Sequence, residues 1–213
     1  IGKPIDEVAL NQALFQKEGV EIIGVILNRV LGDKVDYVTD FARRGLKRKG
    51  LELLGVIPHQ PMLSYPTVDS IREELQAELL NQPPTLQTLV HDVVVGAMSV
   101  GNVVKHFRRG VLLIIPGDRE RVVLAASEAL AANPGEPIAG IVLTDGLRPE
   151  DAMLKVIHSM PVPVMLAPQD SYQVASRVHD QNVKTRPADA QKIALIRDII
   201  ARSVNVKKII ESL

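Results

Sequence analysis

The chain has 213 residues, 46% of them hydrophobic and 23% charged, and its 25 basic and 25 acidic side chains leave no formal net charge. This composition supports one large or two small cores and excludes the one-sign field that nucleic acid or an anionic membrane surface would need. The absence of cysteine excludes a disulfide framework, a thiolate nucleophile and a cysteine-ligated metal, which suits a cytoplasmic protein, and no apolar run approaches the roughly 20 residues of a membrane span.

Residues 5–18 place Val8, Leu10, Leu14 and Phe15 near one helical face, with Asp6 and Glu7 suited to the N-terminus and Gly19 as the stop. Val20–Leu27 follows as a buried strand that ends in Asn28-Arg29-Val30. Residues 34–49 form an amphipathic helix carrying Val35, Val38, Phe41 and Leu46; its basic end, Arg43 to Lys49, complements the helix dipole and is given no function. Glu52–Ile57 is a second strand, closed by Pro58, and Thr67–Leu80 is a helix capped by Thr67 and Asp69. Two parallel strands do not make a stable sheet. This part therefore either lends its strands to the second or is the tail of a larger doubly wound domain whose earlier strands lie upstream of Ile1, the preferred expectation. Asn81-Gln-Pro-Pro-Thr has linker composition, so the domain boundary is expected there, between residues 1–80 and 86–206.

Five strand-like runs come next: Asp92–Ala97, Val111–Ile115, Ala139–Thr144, Val162–Ala167 and Asn182–Thr185. Helical patterns separate them at Gly101–Phe107, Arg119–Ala132, Pro149–His158 and Ser171–His179, and a last helix runs from about Asp189 to Ser203. Val111–Ile115 shows the logic most clearly. A continuous apolar run suits a strand buried on both faces, Pro116-Gly117 breaks it, and Asp118 is placed to cap the helix that follows. If the strands are parallel, their C-terminal clusters converge on one edge and assemble Ser99, Gly117, Asp118, Arg119, Thr144, Asp145, Gly146, Asp170 and Ser171. That edge, with its helix N-termini, suits a phosphate, a carboxylate or a partner loop, so a small anionic ligand is expected. Taken singly, the same residues read as caps, turns and solvated charges.

Catalytic constellations are missing. The five histidines lie apart with no metal-ligand spacing, no serine sits in a nucleophile elbow, and no Gly-x-x-x-x-Gly-Lys-Ser/Thr loop occurs. Neither a catalytic residue nor a bound metal is expected. Aromatic residues make up only 3% of the chain, so a ligand is expected to be held by backbone and charge rather than by stacking.

Val94-Val-Gly-Ala-Met-Ser, Ile115-Pro-Gly-Asp-Arg-Glu, Gly140-Ile-Val-Leu-Thr-Asp-Gly-Leu-Arg-Pro and Pro163-Val-Met-Leu-Ala-Pro-Gln-Asp-Ser-Tyr, in this order, resemble the DRTGG domain over roughly Leu89 to Val206. Asp118 and Arg119 match that family's Asp-Arg pair. Thr144-Asp145-Gly146 departs from its Thr-Gly-Gly by an Asp, a negative charge where the family leaves backbone exposed. Gly2-Lys-Pro-Ile-Asp, Gly24-Val-Ile-Leu-Asn-Arg-Val and Leu54-Gly-Val-Ile-Pro resemble the C-terminal part of a dethiobiotin-synthetase-like P-loop domain, an arrangement found in the N-terminal region of long phosphate acetyltransferases and in related stand-alone proteins. Similar domains occur in cobyrinic acid a,c-diamide synthase.

The resemblance implies an α/β fold in which an incomplete parallel-sheet, P-loop-like segment precedes a compact DRTGG domain with a mainly parallel sheet. It puts Asn28 and Pro58 on the base side of a nucleotide site, assigns no cofactor to this segment, and leaves ATP and magnesium to a full-length parent. The leading expectation is a non-catalytic regulatory or ligand-sensing module that forms a homo-oligomer. The alternatives are the C-terminal part of an ATP-dependent carboxylate-activating enzyme, of dethiobiotin synthetase or cobyrinic acid a,c-diamide synthase type, and a structural dimerisation domain.

Overall fold

The computed structural model describes residues 4–135 and 138–212 and divides the chain into two compact units. The first takes the residues up to Leu63 together with those from Thr185 onward; the second is Ser64–Lys184. In chain order the first unit supplies α1 (Pro4–Lys17), β1 (Val25–Val30), α2 (Val35–Lys47) and β2 (Leu53–Pro58). The second supplies α3 (Val68–Leu75), β3 (Glu78–Leu79), β4 (Asp92–Val95), α4 (Val100–Val104), β5 (Val111–Pro116), α5 (Glu120–Ala132), β6 (Gly140–Thr144), α6 (Asp151–His158), β7 (Val164–Leu166) and α7 (Ser171–Asp180). The chain then returns to the first unit with α8 (Ala190–Ser203) and the unexpected α9 (Val206–Glu211). Among the described residues no helix is long and apolar enough to cross a membrane.

In the first unit β1 and β2 form a two-stranded parallel sheet over a small core of Leu27, Ala42 and Val56. The expected fully buried strand is not found: it begins at Val25, and Leu27 is its one buried residue. A strand is buried on both faces only when both are covered, and a two-stranded sheet has too little cover to give. For the same reason α1 turns Ile5 toward the core, while Leu10, Leu14 and Phe15 of the expected face are exposed together with Val20, Ile23 and Ile26. The outer edge of β2 is closed by the end of α8. Gly55 bridges to Val204, and the Asn205 N–H donates to the Leu54 carbonyl at 2.8 Å. A Cβ at Gly55 would lie 2.5 Å from the Ser203 carbonyl oxygen, so this approach needs glycine.

Helix α8 also buries Lys192, which is only 1% exposed. Burial pushes its amino group below the ordinary lysine value, and the nearby Asp189 carboxylate pulls it partway back. Between the lowered value and about 10.4 the unfolded chain binds more protons than the folded unit, so stability rises with pH through that window. Urea unfolding followed at the Ile199 methyl group should show this rise in the native protein and lose it in Lys192→Met. An identical pH slope in the variant would assign the effect to another group.

The second unit holds a five-stranded sheet in the order β3-β7-β6-β5-β4, with β4 to β7 parallel and β3 antiparallel at one edge. Its central strands are buried on both faces, as their apolar runs demand. Val111, Leu113 and Ile115 meet α4, α5 and α6 on one side, while Leu112 and Ile114 meet α3 and α7 on the other. The domain boundary lies elsewhere than expected. α3 and β3 belong to the second unit, and residues 185–206 to the first. Helix α3 stops at Leu75 because Gln76 turns left-handed (φ 52°) and its N–H caps the Arg72 and Glu73 carbonyls, which frees Glu78–Leu79 to pair with Met165–Leu166. Asn81, expected in a linker, is buried and hydrogen-bonded to the segment leading into β7. Residues 182–185 form no strand, so the fifth strand is β3.

Candidate functional site

Strands β4, β5, β6 and β7 stand side by side in chain order, and their connecting helices all pack on one face, as right-handed crossovers between successive parallel strands require. The clusters 96–99, 116–119, 144–146 and 167–170 therefore do reach one edge, as the sequence predicts. The same topology removes the crevice. Open α/β sheets admit ligands where neighbouring connections leave to opposite faces, and no such reversal lies between β4 and β7.

The two halves of the Asp-Arg and Thr-Asp-Gly pattern meet across β5 and β6, where Pro116 pairs with Thr144. The Gly117 N–H donates to the Thr144 carbonyl at 3.3 Å, and a Cβ on Gly117 would lie 1.8 Å from the Leu147 carbonyl oxygen. Only glycine lets the turns after β5 and β6 come this close. Thr144 is fully buried; its hydroxyl donates to the Asp145 carboxylate at 2.7 Å and lies 2.8 Å from the Ser171 hydroxyl. Since the one threonine proton goes to Asp145, Ser171 donates to Thr144.

Asp145 and Gly146 both adopt positive φ, 65° and 63°, a left-handed pair that Asp tolerates better than most side chains. Their N–H groups donate to the Gln169 carbonyl (2.8 Å) and the Ala167 carbonyl (3.0 Å). The turn thus offers an incoming anion no free amide at these two residues, and it adds a carboxylate. The anion-binding expectation finds no support at this position.

Arg119, not Asp118, is the N-cap residue of α5. The Arg119 N–H turns back to the Pro116 carbonyl at 3.1 Å, which lengthens the turn by one residue and leaves the Asp118 side chain exposed without a capping bond. The Arg119 guanidinium donates to the Met98 carbonyl at 2.7 Å and so ties the β5 turn to the β4 turn. It does not pair with Asp145 or Asp170. Asp170 instead caps α7 by accepting from the Gln173 N–H at 2.8 Å, and Ser99 precedes α4 without a side-chain cap. Arg119→Ala is accordingly expected to cost about 0.5–1 kcal/mol and to combine with Asp145→Gly additively, within about 0.5 kcal/mol. The double-mutant cycle checks this; a larger coupling would restore a charged pocket.

In the first unit Asn28 and Pro58 reach the same end of the parallel pair, where Val30 lies opposite Pro58. The Asn28 side-chain oxygen accepts the Arg29 N–H at 2.9 Å, a local bond that supports the left-handed Arg29 (φ 61°).

The second unit also has a groove of about 530 Å³ that runs along β4 on the α3/α7 side. Tyr65, His91, Val93, Val178, His179 and Gln181 are among its lining residues. Sequence reading missed it because these positions are scattered and none carries a motif. The one usable signal was a tyrosine and a histidine in a chain with few aromatic residues. Among the described residues no group of three or more His, Asp or Glu could hold a metal ion.

A parallel-sheet α/β domain with an Asp-Arg turn locked against a Thr-x-Gly turn is what this geometry defines. The DRTGG domain profile matches residues 70–181, and the chain belongs to that family. Among curated proteins it is similar to the phosphate acetyltransferases of Pseudomonas putida (32% identity, 85% of this chain, 27% of that protein) and Pseudomonas aeruginosa (31%, 87% and 28%). It is also similar to that of a Synechocystis species (28% identity over 99% of this chain and 30% of that protein). The chain spans less than a third of the length of these relatives. Among solved structures, the CBS and DRTGG domains of the regulatory region of Clostridium perfringens pyrophosphatase, complexed with the activator diadenosine tetraphosphate, share 13% identity at a TM-score of 0.47. That match covers 84% of this chain and 86% of the other.

Proposed function

We propose that this chain is a non-catalytic regulatory segment of a longer phosphate acetyltransferase-type protein. Its second unit is the ligand-sensing DRTGG module, and its first is the C-terminal part of a dethiobiotin-synthetase-like P-loop domain. The closed strand edge carries the reading. Where an α/β enzyme of this build would hold its reacting groups, the Thr144 and Ser171 hydroxyls and the Asp145 and Gly146 amides are spent on one another and on neighbouring carbonyls. The P-loop assignment draws on the parallel β1–β2 pair and on Asn28 and Pro58 at one end of it. No phosphate loop is encoded in these residues, so an ATP and magnesium site would need residues outside them.

Acetyl transfer between acetyl phosphate and coenzyme A tests this reading. The chain alone should form no acetyl-coenzyme A. A full-length parent carrying Gly117→Ala should keep its maximal turnover but change its substrate-saturation curve. Turnover by the chain alone that is lost in Arg119→Ala would overturn the proposal. A second, compatible role in self-association is favoured by the exposed Leu10, Leu14, Phe15, Ile23 and Ile26, apolar side chains that a second copy of the chain would cover. Light scattering should then find a dimer or larger species; a monomer at all accessible concentrations would remove this role.

A further inference from the structure

The groove of the second unit is built from two walls. One is the Ser64–Pro66 segment with β4 and the two residues before it; the other is the C-terminal half of α7 with residues that follow it. Its volume of about 530 Å³ lies in the range of small-molecule sites, roughly 300–1,000 Å³. Three features bear on what it would hold.

The first is an aromatic pair: the Tyr65 and His91 rings lie 4.7 Å apart at a 36° tilt in a groove also lined by Val93, Val95, Ala175 and Val178. Flat rings pack well against such side chains, and base–aromatic stacking contributes about 1–3 kcal/mol per base. The second is unspent hydrogen-bonding capacity. The imidazoles of His91 and His179 donate to and accept from no protein group among the described residues. Gln181 adds nothing to this capacity, because its Nε2 donates to the Ser70 carbonyl at 3.0 Å and its Oε1 is buried out of reach of the groove. The third is charge. No Lys or Arg lines the groove, and its one carboxylate, Asp92, is already bonded by Arg108 and by the Val93 N–H. A phosphate or carboxylate would enter with no cation to meet it, beside an existing negative charge.

We propose that this groove binds a neutral, planar nitrogen heterocycle, a purine-like base being the simplest, stacked on Tyr65 and His91 with its polar edge toward the exposed His179 imidazole. Ser64 opens the second unit and Val183 lies next to its end, so such a ligand touches both segments by which the chain enters and leaves that unit. The site thereby gives the regulatory reading a ligand class and rests on it for its purpose. Binding is read without any assay of acetyl transfer, so the two fail separately.

The test is a titration of the whole chain with adenine, followed at valine methyl resonances, with adenosine monophosphate and inorganic phosphate as charged arms. Adenine should produce saturable shifts at Val93, Val95 and Val178. Adenosine monophosphate should bind no more tightly, and phosphate should leave these signals unmoved. Ala175→Phe, which fills the groove, and His179→Ala should each weaken adenine by about fivefold or more while the β5 and β6 resonances stay native. No shift at millimolar adenine, shifts indifferent to Ala175→Phe in a folded variant, or a response to phosphate alone would each overturn the proposal.

Discussion

Gly117→Ala is expected to destabilise the second unit by roughly 2–4 kcal/mol, although it adds a single methyl group. The added carbon would sit 1.8 Å from the Leu147 carbonyl oxygen, inside any permissible contact, and the opposing atom is backbone, which cannot swing aside as a flexible side chain would. Relief requires the turns after β5 and β6 to separate. That breaks the bond from the Gly117 N–H to Thr144 and disturbs the buried Thr144 hydroxyl, which joins β6 to α7 through Ser171. The chain has two compact units, so one global unfolding energy would mix them. Hydrogen exchange of the β5 and β6 amides isolates the right one: those rates should rise by about two orders of magnitude, and a change below about threefold would show that the turns are freer than described.

Asn81→Ala should cost about as much for a different reason. The Asn81 amide donates to the Met160 carbonyl at 3.2 Å and the Val162 carbonyl at 2.8 Å, and its oxygen accepts the Val164 N–H at 3.0 Å. One buried side chain thus takes the place of a neighbouring strand along the entry to β7, beyond the point where β3 ends. Alanine leaves three buried backbone groups unpaired, and a loss of about 2–4 kcal/mol follows from about 1–3 kcal/mol for each unsatisfied group, reduced where water enters. Asn81→Asp should be worse, since a carboxylate has no hydrogen to give and faces two carbonyl oxygens. Exchange of the β7 amides is the measurement; an Asp variant as stable as the native protein would remove this account of Asn81.

Asn81 also marks what the sequence conceals. Asn-Gln-Pro-Pro-Thr has the composition of a linker, and nothing local distinguishes a solvated asparagine from one that replaces a strand. The two-residue β3 is too short for any periodicity, so the end of the preceding helix was expected to run through it. By contrast, the apolar runs of β5 and β6 were legible because a strand buried on both faces admits few other residues. The convergence of Asp118, Arg119, Thr144, Asp145, Asp170 and Ser171 on one edge followed from parallel pairing alone. Their partners did not follow. The Met98 carbonyl that receives Arg119 and the Leu147 carbonyl that confines Gly117 are main-chain atoms, which carry no signature in the side-chain code. The face of α1 was misjudged because periodicity shows that a helix is amphipathic, not how much surface stands ready to cover it.

The Asp-Arg and Thr-Asp-Gly turns are locked to one another, and the Asp145 and Gly146 amides are already bonded to protein carbonyls. Amide exchange at Asp145 and Gly146, measured with and without inorganic phosphate, tests this most directly. Both N–H groups are bonded to carbonyls of the β7 turn, so both should exchange slowly, near the rate of the β6 amides, and phosphate should leave them unchanged. Fast exchange in buffer that slows when phosphate is added would contradict it, because it would reveal free amides that an anion completes.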